Sequence, residues 1–237
     1  MITMPLFQTF PEYQCLDPET NEWYECLRGD FCGNPAMTWQ INWESEFSMN
    51  NMIVGLDQHC ITPFNLGLVG GSYFIGFILG SQILSGKADE YGRIGTFKRF
   101  YPLSILGTLI LYFSNSMLVL YLGIVIYGFS SILRTSIALV YAGECGEKKY
   151  TSKINFFAQF IKLILTLVII MLIWKVSSYW RAYYFYVTIL QVIPWLLSFF
   201  FPESPKQLFS LKKYDQLERS LATIFKVNSM TNKALTQ

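Results

Sequence analysis

An all-α integral membrane protein of about five spans, with a cysteine-containing outer loop domain, is the fold class the sequence predicts. Three observations carry it. Apolar residues make up 52% of the 237, charged residues only 14% and aromatics 17%, a balance too oily for a water-soluble domain. Apolar runs near span length recur five times, and the basic residues gather in alternate connections between them. The formal charge of +2 is close to balanced, so nothing points to nucleic acid as a partner.

A bilayer core about 30 Å thick takes about 20 apolar residues, each rising about 1.5 Å along a helix. Residues 1–65 contain no such run and form an acidic, Cys-rich extramembrane segment. Its opening, MITMPLFQTF, is half the length of a span and contains Pro5; it also lacks the basic start and long apolar centre of a signal peptide. The five-helix bundle, 66–201, follows with spans at 66–85, 99–113 (short without its flanks), 117–143, 154–175 and 182–201. Pro202 stops the last, because proline has no amide hydrogen and turns its predecessor away from helix. Residues 202–237 form an amphipathic tail.

Short cytoplasmic loops accumulate Lys and Arg. Here the bases are Lys87, Arg93, Lys98 and Arg99 after the first span, Lys148, Lys149 and Lys153 after the third, and Lys206, Lys212, Lys213, Arg219, Lys226 and Lys233 in the tail. Residues 1–65 carry only Arg28 against nine acids. The expected orientation is N-terminus outside and C-terminus inside.

Four of the five cysteines, Cys15, Cys26, Cys32 and Cys60, fall in the outer segment with Pro11, Pro18, Pro35 and Pro63. An even number outside the cytosol favours two disulfides over four free thiols, with three pairings open. A zinc site is disfavoured, since there is no Cys-x-x-Cys and His59 is the only histidine. No nucleophile-base pair, metal cluster or phosphate loop suggests catalysis or a cofactor.

Four stretches, in order, carry a resemblance. They are PEYQC with the further cysteines and residues 39–47; SGKADEYGRIG; VYAGECGEKKY; and FFFPESPKQLF with KKYDQLERSLATIFKVN, preceded by Trp180 and Arg181 before the last span. Together they resemble the first half of an organic cation/anion transporter of the major facilitator superfamily. The resemblance covers about residues 10–228 and implies counterparts of helices two to six of twelve, with none for helix one or for the second half. It also implies an inner gate of Asp89, Gly92, Arg93, Glu144 and Glu203, in which Asp89 faces the positive end of a second-half helix and Arg93 bridges Glu144 and Glu203. Departures from the family pattern are Ser85 for a Gly, Glu90 for a base, and Ile94 and Thr151 for Arg. Glu90, Lys98 and Glu147 read as solvated interfacial charges.

Inside the spans, Arg134 and Lys162 are expected to avoid lipid, where a base costs about 2.5–3.5 kcal/mol. They would line a cavity and attract an anionic group, or else pair with acids or lipid phosphates, Lys162 reaching toward the inner face. Gly67, Gly70, Gly71, Gly76 and Gly80 are expected to let helices approach closely. The resulting expectation is an accessory or interaction subunit of a larger membrane assembly, embedded in a lipid bilayer beside other membrane subunits and not transporting alone. The alternative is a half-transporter for an organic ion substrate that works with a partner chain or as a homodimer. The family resemblance implies the plasma membrane; an accessory subunit fits an organelle membrane such as the mitochondrial inner membrane.

Overall fold

The computed structural model describes residues 8–34, 36–146, 148–176 and 179–235. Residues 1–7 and Glu147, which figure in the expectations above, lie outside the described residues.

The first segment is built on a small sheet. β1 (Tyr13–Leu16) lies between β2 (Trp23–Cys26) and β3 (Trp39–Ile41), antiparallel to both. Alternation along β1 sends Tyr13 and Cys15 inward, where they pack with Phe31 from the short α1 (Arg28–Cys32). Two disulfides, Cys15–Cys26 and Cys32–Cys60, close the segment on itself. All four expected cysteines are used, and the sheet is a β element that an all-α reading does not include. α2 (Met52–Gly55), capped by Asn51, then lays Met52 and Leu56 onto the helical bundle.

Thr62 and Pro63 start α3 (Pro63–Tyr91), since Pro at a first helical position gives up no needed hydrogen bond. The return run is α4 (Arg93–Phe100) and α5 (Pro102–Phe113), joined through Tyr101 where Pro102 lacks a donor. Ser116 caps α6 (Met117–Ile132), which passes through a π-helical turn (Leu133–Ile137) into α7 (Ala138–Cys145). α8 (Lys148–Val176) and α9 (Trp180–Ser198) follow, then α10 (Pro205–Ser210) and α11 (Tyr214–Leu235).

Three described helical runs are long and apolar enough to cross a membrane: Pro63–Tyr91, Met117–Cys145 and Lys149–Val168. The second expected span falls below that length because it breaks at Tyr101. The fifth ends at Ser198, three residues short of the expectation, and carries Arg181, Tyr183, Tyr184, Tyr186 and Gln191 within its apolar run.

α3 and α6 make the tightest join. A Cβ on Gly76 or Gly80 would strike the carbonyls of Val125 and Phe129, and one on Gly128 would strike that of Tyr73. Small residues are therefore what bring these backbones together. Gly67, Gly70 and Gly71 differ from expectation, since a Cβ on each meets open space within the chain. One core, around Trp180, Val69, Leu120 and Ile124, lies beneath α2; a second, around Leu84, Tyr101, Leu133 and Ile137, lies toward the opposite end, called here the basic end for its Lys and Arg. α8 packs chiefly on α7 near its own start, and its Lys149–Val168 stretch buries no residue.

Candidate functional site

At the basic end the chain makes a sharp reversal between α3 and α4. Gly92 takes φ +98, a conformation that L side chains rarely adopt, and a Cβ there would also collide with the Glu203 carboxylate. The collision marks how closely Glu203 approaches. Its Oε1 accepts from Ile94 N and its Oε2 from Gly95 N, both at 3.0 Å, and Ser204 N donates to Oε1 at 3.1 Å. A carboxylate on the free amides of a helix start satisfies orphan donors and matches the helix dipole.

Arg93, the first residue of α4, reaches Asp89 at 2.7 Å and Glu144 at 3.6 Å. Those two contacts differ in kind. Asp89 is largely exposed, so its pair is a weak i,i+4 surface contact, whereas the Arg93 and Glu144 side chains are 19% and 13% exposed. The structure thus brings together all five residues expected at the gate but divides the work. Arg93 pairs with Asp89 and Glu144, while Glu203, expected as a second clamp on its guanidinium, holds the α4 backbone instead. The physical reason is reach: the Gly92 turn presents the α4 amides, rather than the Arg93 side chain, to the Pro202–Glu203 junction.

Gln207, missed from the sequence, completes the arrangement. Its Oε1 accepts from Arg93 N at 3.0 Å, and its Nε2 donates to the carbonyls of Ala88 at 2.6 Å and Asp89 at 3.3 Å. One buried amide therefore joins the last carbonyls of α3 to the first amide of α4. A signal was present in PESPKQ, where Ser204 with Gln three residues later is a capping pattern; Ser204 Oγ does accept from Gln207 N. Tyr141 donates to the Pro202 carbonyl at 2.8 Å and Ser220 to that of Glu203 at 2.7 Å, which ties α7 and α11 to the same junction. Glu90 pairs with Lys87 at 2.8 Å on the exposed surface, as a solvated charge would.

Mid-bundle, the π turn carries Arg134 inward. Its guanidinium donates to Ser104 Oγ and, at 3.1 Å, to Gln191 Oε1, and it lies 4.6 Å from the centre of the Tyr127 ring. Ser104 also donates to Gln191, and one turn further along α5 and α9 Thr188 donates to Thr108 at 2.9 Å. Among the described residues no carboxylate pairs with Arg134, and the buried Gln191 Nε2 has no partner. Hydroxyl, amide and ring solvate this cation and hold it in place, with no ion pair to it among the described residues. Lys162, by contrast, is exposed on α8 and is not brought to Arg134.

In the disulfide-bridged subdomain, His59 is buried beside Tyr13 and Trp39. Its Nδ1 is hydrogen-bonded with Tyr13 OH at 3.0 Å, and its Nε2 lies 3.5 Å from Asp57. Burial holds the imidazole below its ordinary value against the opposite pull of Asp57, and burial pushes the Tyr13 phenol up to about 12. Among the described residues no cluster of His, Cys, Asp and Glu could hold a metal ion.

Comparison with known proteins adds two findings. Residues 30–236 match the sugar (and other) transporter family. A Caenorhabditis elegans protein named as a transporter, B0361.11, is 25% identical over 231 residues, which are 97% of this chain. The chain spans 39% of that relative's length.

Proposed function

Because the chain belongs to the sugar (and other) transporter family of the major facilitator superfamily, we propose that it acts in transport as one helical bundle working against a second. Transport in this superfamily's manner needs two bundles that rock about a central site. The observation that carries the reading is α8, whose apolar stretch Lys149–Val168 is long enough to span a membrane and has no buried residue. Such a helix is served by lipid on one side and by further helices on the other. Arg134 supports retained substrate chemistry, since a fixed cation inside a membrane bundle, with no ion pair to it among the described residues, suits an organic ion bearing a negative group. The work is carriage rather than catalysis. Disulfides at one end and bases at the other support the N-terminus outside and the C-terminus inside, in the plasma membrane.

A second reading is favoured by one observation, the thinning of the gate's bases at Glu90, Ile94 and Thr151. Under it the bundle is an accessory subunit of a larger assembly, in an organelle membrane, and moves nothing. Two measurements separate the readings. Purification in mild detergent should recover the chain with a partner bundle, another polypeptide or a second copy. Proteoliposomes holding that pair should then take up organic ions saturably, while the isolated chain should not. Robust uptake by the isolated monomer would overturn the two-bundle proposal; a stoichiometric complex without uptake would replace it with the accessory one.

A further inference from the structure

At the basic end a cavity of about 210 Å³ lies between α4, α7 and α9. Its wall presents almost no polar surface, although Arg93, Tyr141 and Ser198 contribute to it. The reason is that all three make their polar contacts elsewhere. Arg93 pairs with Asp89 and Glu144, Tyr141 donates to the Pro202 carbonyl, and Ser198 donates to that of Trp195 at 2.6 Å. What faces the cavity is carbon. A water there would lack the roughly two to four polar partners it needs, and a bare gap forfeits the dispersion contacts of the atoms that line it. Hydrocarbon is the filling that suits such a wall.

The exposed part of the wall shows where that hydrocarbon comes from. Pro194 on α9 and Phe201 just beyond it are exposed, whereas the lining from α4 and α7 is buried or half-buried. Beside them Ile193, Leu197 and Phe200 are each at least half exposed. In a chain that crosses a membrane, exposed bulky apolar side chains of this kind face acyl chains, so the mouth of the cavity opens into the bilayer. Pro194 and Phe201 lie about 10 Å apart along the helix, a distance that fits within the roughly 15 Å of one leaflet, here the leaflet at the basic end.

We propose that the cavity holds a straight segment of an acyl chain from a lipid of that leaflet, packed against Ile137 and Ala138, with the rest of the lipid outside Pro194 and Phe201. An apolar cavity of about 150 Å³ accommodates benzene, so this one accommodates roughly eight carbons. A chain that leaves hydrocarbon for hydrocarbon gains nothing from the release of water. Close contact is what holds it, and the site therefore discriminates by shape. A methyl branch within the segment overfills the space and should weaken occupancy about fivefold or more. The headgroup stays outside the cavity, and its charge should not matter.

The test uses the full chain in dimyristoylphosphatidylcholine nanodiscs doped with a phosphatidylcholine that carries a diazirine midway along one straight chain. After photolysis, residue-level mass spectrometry should find Ile137 labelled and Leu133, one turn earlier in the same core, unlabelled. The two are 4% and 0% exposed, and of the pair Ile137 alone lines the cavity. The exposed side chains at 156–165 of α8 supply the measure of ordinary lipid contact. Replacing the bulk lipid with diphytanoylphosphatidylcholine, whose chains are methyl-branched, should raise the Ile137 label relative to that of α8 about fivefold or more, because the bulk lipid then competes poorly. Ala138→Leu should remove the Ile137 label by filling the cavity and leave the α8 label unchanged. Should that variant melt lower than the parent chain, the comparison of the two bulk lipids decides alone. Ile137 labelled no more than Leu133, a ratio indifferent to branching, or a well-folded Ala138→Leu that keeps the label would each overturn the proposal. So would an Ile137 label that disappears when a second bundle copurifies with the chain, since side chains of the partner would then fill the mouth.

Discussion

Two neighbouring spans of similar apolar character behave in opposite ways. Of the most apolar window in Met117–Cys145, 44% is buried inside the chain; of that in Lys149–Val168, none is. Hydropathy places both in a membrane, and it says nothing about what either touches. The difference lies in the small and hydroxyl residues. Gly123, Gly128, Ser130 and Ser131 give α6 a face that a backbone can approach, and Ser130 and Ser131 return their hydroxyls to carbonyls of their own helix. α8 presents Phe156, Phe157, Phe160, Ile161, Leu163, Ile164 and Leu165 instead, all exposed. Bulky side chains all round suit lipid or a partner's grooves; a notched face suits close packing within the chain.

The sharpest way to break this contrast is to place the same bulk on each helix. Gly128→Leu drives a side chain into the Tyr73 backbone, and the bundle should fail to fold or lose roughly 3 kcal/mol or more, at the top of the overpacking range. Ala158→Leu, on the exposed surface of α8, should stay within about 0.5 kcal/mol of the parent. Thermal melting in detergent checks both, and equal losses would show that α8 packs within the chain after all.

A third mode of closure sharpens the comparison, since the first subdomain is held by covalent bridges rather than by close approach. Reducing either disulfide should cost that subdomain about 2–4 kcal/mol, and reducing both should unfold it before the helices. Intact mass without reductant should run four hydrogens below the reduced chain. Four alkylatable thiols among Cys15, Cys26, Cys32 and Cys60 would contradict this.

At the basic end, the carboxylates of Glu203 and Asp89 should separate in the same way as the two spans. Glu203→Ala strips the acceptor from the amides of Ile94 and Gly95 and should cost about 1–3 kcal/mol. Asp89→Asn removes an exposed partner and should cost under about 1 kcal/mol. A reversal of that order in melting temperature would return Glu203 to a surface role.

The smallest effect is expected from pH. Burial lowers the proton affinity of His59 in the folded subdomain relative to the unfolded chain, so the stability this provides is full above about pH 6.5 and is lost as pH falls through the lowered value. The subdomain's unfolding midpoint, followed by tryptophan fluorescence, should drop between pH 7.5 and 5.5, and His59→Phe should flatten that slope. An unchanged slope in the variant would assign the pH dependence to the carboxylates.

Apolar runs made the five helices legible, and the pairing chemistry of noncytosolic cysteines made the disulfides legible, though not their connectivity. Where α9 ends was misread because the aromatic run 199–201 is as apolar as the helix before it, yet it lies in the turn leading to Pro202. The sheet was hidden because strands of three and four residues are too short to show alternation. Ser104 and Gln191 escaped notice for a different reason: single polar residues on separate spans become a site only when α5, α6 and α9 bring them to one cation. Gln207 was within reach, but its partners at Ala88, Asp89 and Arg93 lie more than a hundred residues away in the chain.

The π turn at Leu133–Ile137 has a consequence for chain length. Relative to an uninterrupted α-helix it accommodates one additional residue, which rotates everything after it by roughly 100°. A variant shorter by a single codon within these five positions would keep its composition, its hydropathy and a span of ample length. Tyr141 and Glu144 would nonetheless swing about a third of a revolution around the helix axis, away from Pro202 and Arg93. For this span, the phase between its two halves is information that no count of apolar residues records.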